Sequence, residues 1–158
     1  MSDQVQTAYE RLVQVAPIVL GMTEPEKESV VQRLVDALID AGQVQPDLRE
    51  SALVAVRARE EQGGCTALAN GIAIPHCRSD LFEEMRVAIG VHSLGVDCGS
   101  LDGLPSRIFI LALVPAKDPA VHIRFLAEVN RRLLKPEIRE HILLGQTAEA
   151  VRELLLQS

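Results

Sequence analysis

Asn70-Gly71-Ile72-Ala73-Ile74-Pro75-His76-Cys77-Arg78 is the stretch on which the fold of this chain turns. Gly71 opens it and permits backbone angles that other residues avoid. Ile72 and Ile74 alternate with Ala73, the two-residue period of a half-buried strand. Pro75 fixes its own φ and biases Ile74 toward an extended conformation. The reading is a short apolar strand that delivers His76 just past its end, with the cation Arg78 two residues later.

Upstream, Ile18-Val19-Leu20 reads as a first strand closed by Gly21. Thr23 is the expected N-cap of a helix, with Glu24, Glu26 and Glu28 at its positive end. Val30, Val31, Leu34, Val35 and Leu38 recur at helical spacing, and Gly42 stops the run. Asp47 and Glu50 resemble a capping box for a second helix, with Leu48, Ala52, Leu53 and Val56 as its buried stripe. That helix ends near Gly63-Gly64. Residues 1–17 read as an N-terminal arm or a short helix.

Downstream, Arg86–His92 alternates, with Val87, Ile89 and Val91 on one face. Val96–Cys98 reads as another short strand, before a turn at Asp102-Gly103-Leu104-Pro105. Ile108–Val114 is apolar throughout, as a central strand covered on both faces must be. Asp118-Pro119 starts a helix with proline at its favoured first position. The stripe of this helix is His122, Phe125, Leu126, Val129 and Leu133. Pro136 opens a short helix ending at Gly145, and Thr147 caps a last one carrying Val151, Leu154 and Leu155. Helices on both sides of a small sheet predict an α/β fold, a three-layer α/β/α sandwich, in one domain over residues 1–158.

The composition narrows the function. With 47 % apolar but only 3 % aromatic residues, the core must be aliphatic. A net charge of −6 argues against nucleic acid as a partner. No run of about 18 apolar residues suggests a membrane span. The N-terminus lacks the basic and apolar regions of a signal peptide. Three cysteines, Cys65, Cys77 and Cys98, form no CxxC pair. A reduced, cytoplasmic protein with no metal site and no cofactor is expected.

The run Arg59-Glu60, Gly63-Gly64-Cys65-Thr66 and Asn70–His76 resembles the active-site segment of enzyme IIA of the phosphoenolpyruvate-dependent phosphotransferase system. The likeness is to its fructose–mannitol branch, which includes the nitrogen-regulatory proteins. It extends from about residue 20 to the C-terminus and implies a mixed sheet. It also implies that His76 becomes phosphohistidine, receiving the group from the phosphocarrier protein HPr or a homologue. The group then passes to an enzyme IIB cysteine or stays as a regulatory mark. A chain of this length leaves no room for fused enzyme IIB or membrane domains, which favours the nitrogen-regulatory type. The alternative is a non-catalytic module that keeps the fold and acts by docking.

Imidazole suits the implied chemistry, because it is largely neutral and nucleophilic near neutral pH. Phosphoryl transfer then needs mainly positioning and charge stabilisation. Spacing alone makes His122 a core histidine; the resemblance places it beside His76, hydrogen-bonding the phosphoryl oxygens or the partner ring. Arg59 matches the family's Arg-Glu pair and offers a planar fork of donors, with Arg57 as the neighbour most easily confused with it. Thr66 matches a turn threonine able to donate its hydroxyl to phosphate. Four departures stand out: Cys65 for serine, Ala67 and Ala69 for glycines, and Cys77 for the glycine after the histidine. A thiol beside the nucleophile raises the question of redox control.

Overall fold

The computed structural model describes residues 6–62 and 67–157. Among them, helices α1 (Ala8–Val15), α2 (Lys27–Asp40), α3 (Arg49–Glu61), α4 (Pro119–Leu133), α5 (Pro136–Leu144) and α6 (Ala148–Leu156) surround one mixed sheet. Its strands are β1 (Ile18–Met22), β2 (Ile72–Ala73), β3 (His76–Ser79), β4 (Arg86–Val96) and β5 (Ser106–Pro115). The order is β1-β4-β5-β2, with β3 also on β5. β4 and β5 run antiparallel, while β1 is parallel to β4 and both β2 and β3 are parallel to β5.

β2 and β3 are one edge strand with a break. Ile72 and Ala73 lie opposite Ile108 and Phe109, and His76 lies opposite Ala112, so the register never slips. The break falls at Ile74-Pro75, where proline has no N–H to give the ladder. Its carbonyl still accepts from Ala112 N–H at 3.0 Å. His76 therefore does not sit past the end of the strand, as expected; it begins the strand's second half. Nor is the stretch half-buried. Ile72 and Ile74 enter the core under α1, α4, α5 and α6, while Ala73 and Cys77 enter the core under α2 and α3. A strand covered by helices on both sides buries both sets of side chains.

Three other expectations yield to tertiary context. The N-cap of α2 is Glu26, which forms a capping box with Ser29, rather than Thr23. Asp47 caps nothing: Pro46–Leu48 forms a 3₁₀ turn that runs directly into α3, whose N-cap Leu48 has no side-chain bond to offer. Val96–Cys98 is not a separate strand, because β4 continues through a register shift to Val96. Gly63-Gly64, Cys65 and Thr66 lie outside the described residues.

α1 belongs to the core. Tyr9 is buried, its hydroxyl donates to Leu155 O at 2.7 Å, and the Arg132 guanidinium lies 4.2 Å from its ring centroid. Arg152 reaches across to Val13 O and Ala16 O at 2.7 and 2.8 Å. Two cations, Arg132 on α4 and Arg152 on α6, thus tie the first helix to the C-terminal ones.

Candidate functional site

The cleft lies at the β3 edge of the sheet. At an edge strand, helices of both layers can reach past the sheet, and here α3 and α4 do so. Ala55, Ala58, Arg59 and Gln62 line the cleft from α3, His76, Arg78 and Ser79 from β3, and His122 from α4; the space is about 550 Å³. Three of the sequence candidates, His76, His122 and Arg59, come together in it. Thr66 lies outside the described residues. Arg57 is separated from the group: it faces α2 and ion-pairs with Glu28.

His76 is held by its own strand. Its Nδ1 lies 3.1 Å from the Ile74 carbonyl oxygen. A carbonyl only accepts, so Nδ1 carries a proton, and in the neutral ring it is Nε2 that keeps the lone pair. The break at Pro75 serves this geometry, since it leaves the carbonyl two residues back within reach of the ring. The strand itself is anchored at its start. Gly71 O accepts from both Arg107 and Ile108 N–H, at 2.8 and 3.0 Å. Asn70 and Gly71 both adopt positive φ, 67° and 76°.

The His122 ring stands 4.8 Å from that of His76, centroid to centroid, with the planes tilted by 36°. Both its nitrogens are buried, and neither has a hydrogen-bond partner among the described residues. Burial, and then the charges of His76, Arg78 and Arg59, push its pKa down to about 4. It is therefore neutral near pH 7. Its place early in α4 adds the positive end of the helix dipole in the same sense. The guanidinium groups of Arg59 and Arg78 have no carboxylate partner among the described residues. Two free cations, a lone-pair nitrogen and an unpartnered imidazole, with no acidic side chain in the lining, make a site for an anion.

Sequence reasoning left Arg78 in the background and missed Gln62 and Ser79. Gln62 follows Arg59 by one helical turn, a signal that was present. Ser79 carries no such mark; only the course of β3 brings it in. Among the described residues, no three His, Cys, Asp or Glu side chains converge to hold a metal ion. Cys77 faces the α2–α3 core at 1 % exposure, and burial pushes its thiol up to about 12. It is a protonated core residue beside the site, which removes the ground for redox control at this position.

Residues 11–158 match the family model of the phosphoenolpyruvate-dependent sugar phosphotransferase system, EIIA 2. A fructose-specific EIIA component from Haloferax volcanii is 31% identical over 140 residues, covering 87% of this chain and 89% of that protein. A nitrogen regulatory protein from Pseudomonas aeruginosa is 32% identical over 99 residues, 63% of this chain and 64% of its own length. The fold is shared with the crystal structure of the nitrogen regulatory protein IIA-Ntr from Neisseria meningitidis. That comparison has a TM-score of 0.83 at 24% identity, and covers 94% of this chain and 99% of that one. No described helix is long and apolar enough to cross a membrane.

Proposed function

The chain belongs to the EIIA 2 family of the phosphoenolpyruvate-dependent sugar phosphotransferase system and has a phosphocarrier role, and from this we propose that Nε2 of His76 is the atom that carries the phosphoryl group. The observation that supports this most is the bond from His76 Nδ1 to Ile74 O. It fixes the tautomer whose other nitrogen is the nucleophile, before any partner arrives.

The donor is HPr or a homologue carrying its own phosphohistidine. The lone pair on Nε2 forms the new N–P bond as the donor's N–P bond breaks, and the donor imidazole leaves with the electron pair. Arg59 and Arg78 supply the positive charge that the equatorial oxygens require. His122, neutral before the group arrives, donates an N–H to a phosphoryl oxygen, which partners a nitrogen that has none among the described residues. Thr66 adds a hydroxyl in the reading taken from the sequence. The group then goes to an enzyme IIB cysteine. In the nitrogen-regulatory manner, it instead stays as a state that a partner protein reads, on the cytoplasmic side of the membrane. The rival reading, a docking module without chemistry, finds its main support in the turn changes around Cys65 and Cys77. Burial of Cys77 in the opposite core withdraws half of that support.

The test is intact mass after incubation with phosphoenolpyruvate, enzyme I and HPr. An acid-labile gain of one phosphoryl group, absent from His76→Ala, is expected. A variant that still gains it would show that His76 is not the acceptor. No gain in the unaltered protein, with several enzyme I–HPr pairs, would favour the docking module.

A further inference from the structure

The free cleft holds an imidazole that is kept neutral by its surroundings, and the reaction inverts those surroundings. His122 is faced by Arg59 from α3 and by His76 and Arg78 from β3; Asp118, at the N-cap position of its own helix but without a side-chain capping bond, does not line the cleft. The two guanidinium charges that line the cleft repel a proton on the ring. Transfer to His76 would bring phosphoryl oxygens carrying roughly two negative charges into the space beside it, set against one positive charge on the His76 ring that keeps its Nδ1 proton, about one negative charge net. At an effective dielectric of about 20, a single opposite charge about 4 Å away raises a pKa by about 3. The two guanidinium charges, until then uncompensated, would be neutralised by the same group. Both buried ring nitrogens lack partners among the described residues, so no hydrogen bond among them must break for the ring to gain a proton.

We propose that phosphorylation of His76 draws one proton onto the His122 ring, so that the protein's hold on its phosphoryl group weakens as pH rises. This rests on His76 being the acceptor. The balance is simple. No proton moves in the P–N exchange itself, and the proton on His122 comes from solvent and returns there when the group leaves. With its pKa pushed down to about 4, His122 takes up no second proton between about pH 4 and neutrality in the unphosphorylated protein, whereas by this proposal it does in the phosphorylated one. Each phosphoryl group accepted therefore takes up one proton in that window, and raising the pH opposes acceptance.

The experiment is an NMR titration of the histidine rings from about pH 6 to about pH 9, on the free protein and on the protein phosphorylated through phosphoenolpyruvate, enzyme I and HPr. The His122 signals are assigned in the free protein by their loss in His122→Asn. In the free protein they should be flat across the range. After phosphorylation they should titrate with a midpoint at or above about 6.5. The equilibrium constant for accepting the group from HPr should fall by up to about tenfold per pH unit below that midpoint. A phosphorylated protein whose His122 signals stay flat, with pH-independent transfer, overturns the proposal. If intact mass shows no phosphoryl gain, the reading of His76 falls first and the proposal with it. The two failures are told apart by that mass measurement.

Discussion

The Asp102 carboxylate accepts the backbone N–H of Asn70 at 2.8 Å, joining the turn before β5 to the residue that opens the active-site strand. Asp102 also accepts from Ser100 Oγ and Leu104 N–H, at 2.8 and 3.1 Å. These bonds hold its carboxyl below the usual range. The turn is thus braced internally and presents one oxygen to the left-handed Asn70. Asp102→Ala should free that amide, which hydrogen exchange at Asn70 would detect as lost protection. Phosphoryl acceptance by His76 should slow several-fold with the fold retained, on the scale of about one hydrogen bond to a charged group. Unchanged exchange at Asn70 would remove Asp102 from the support of the site.

Two neighbouring arginines make a matched pair for testing the charge of the cleft. Arg59 lines it, while Arg57 is engaged with Glu28 outside it. Arg59→Gln should lower the rate of phosphoryl acceptance by about 10²-fold, the scale for losing one donor aimed at developing charge. Arg57→Gln should leave the rate unchanged. Single-turnover kinetics with phosphorylated HPr checks both. Equal effects would mean that the arginines act by general attraction of an acidic partner, not by contact with the phosphoryl group.

The conformation at the strand's entrance predicts opposite tolerances for adjacent residues. Asn70 has φ 67° and an exposed side chain, so Asn70→Gly should be close to neutral in stability. Gly71 has φ 76°, and a Cβ there would lie 3.3 Å from Pro105 O. Gly71→Ala should cost about 1–2 kcal/mol, with further loss if the Pro105 carbonyl must move. Urea unfolding of the two variants separates them, and an equally stable Gly71→Ala would contradict the assigned backbone.

Alkaline pH should destabilise the protein from about pH 9. Burial raises Cys77 from 9.0 to about 12, and Tyr9 from 10.0 to about 12, in the folded protein. Both groups are neutral when protonated. Between the unfolded and folded values, the unfolded chain has lost a proton that the native one keeps. Stability is then full below pH 9 and falls as pH rises toward 12. Tyr9 is the chain's single tyrosine and there is no tryptophan, so ultraviolet absorbance reports its ionisation directly. It should appear together with unfolding, not before it. Tyr9→Phe should reduce the alkaline loss, while costing about 0.5–1.5 kcal/mol at neutral pH for the bond to Leu155 O. Ionisation of Tyr9 in a still-folded protein would show that α1 is not docked as described.

The sequence by itself determined the layers and pointed to the residue proposed as the nucleophile. Apolar periodicity identified β1, β4, β5 and the stripes of α2, α3 and α4, because burial of one face imposes that period on any sequence that folds this way. The Asn70–His76 run, through its resemblance to enzyme IIA, singled out His76. Local chemistry was a poorer guide wherever several polar residues competed for one role: Glu26 displaced Thr23 as a cap, and Asp47 served no helix start. Only the tertiary structure decided the rest. That His122 faces the cleft rather than the core depends on α4 starting beside the β3 edge. That Arg59 and not Arg57 is free depends on Glu28, 29 residues from Arg57 and on another helix. That Cys77 is inert depends on which face of β3 meets α2 and α3. Each of these is a relation between segments distant in the chain. Hydrophobic period fixes which face of an element is buried, but a partner's charge, or the space beside a ring, exists only once the elements have packed.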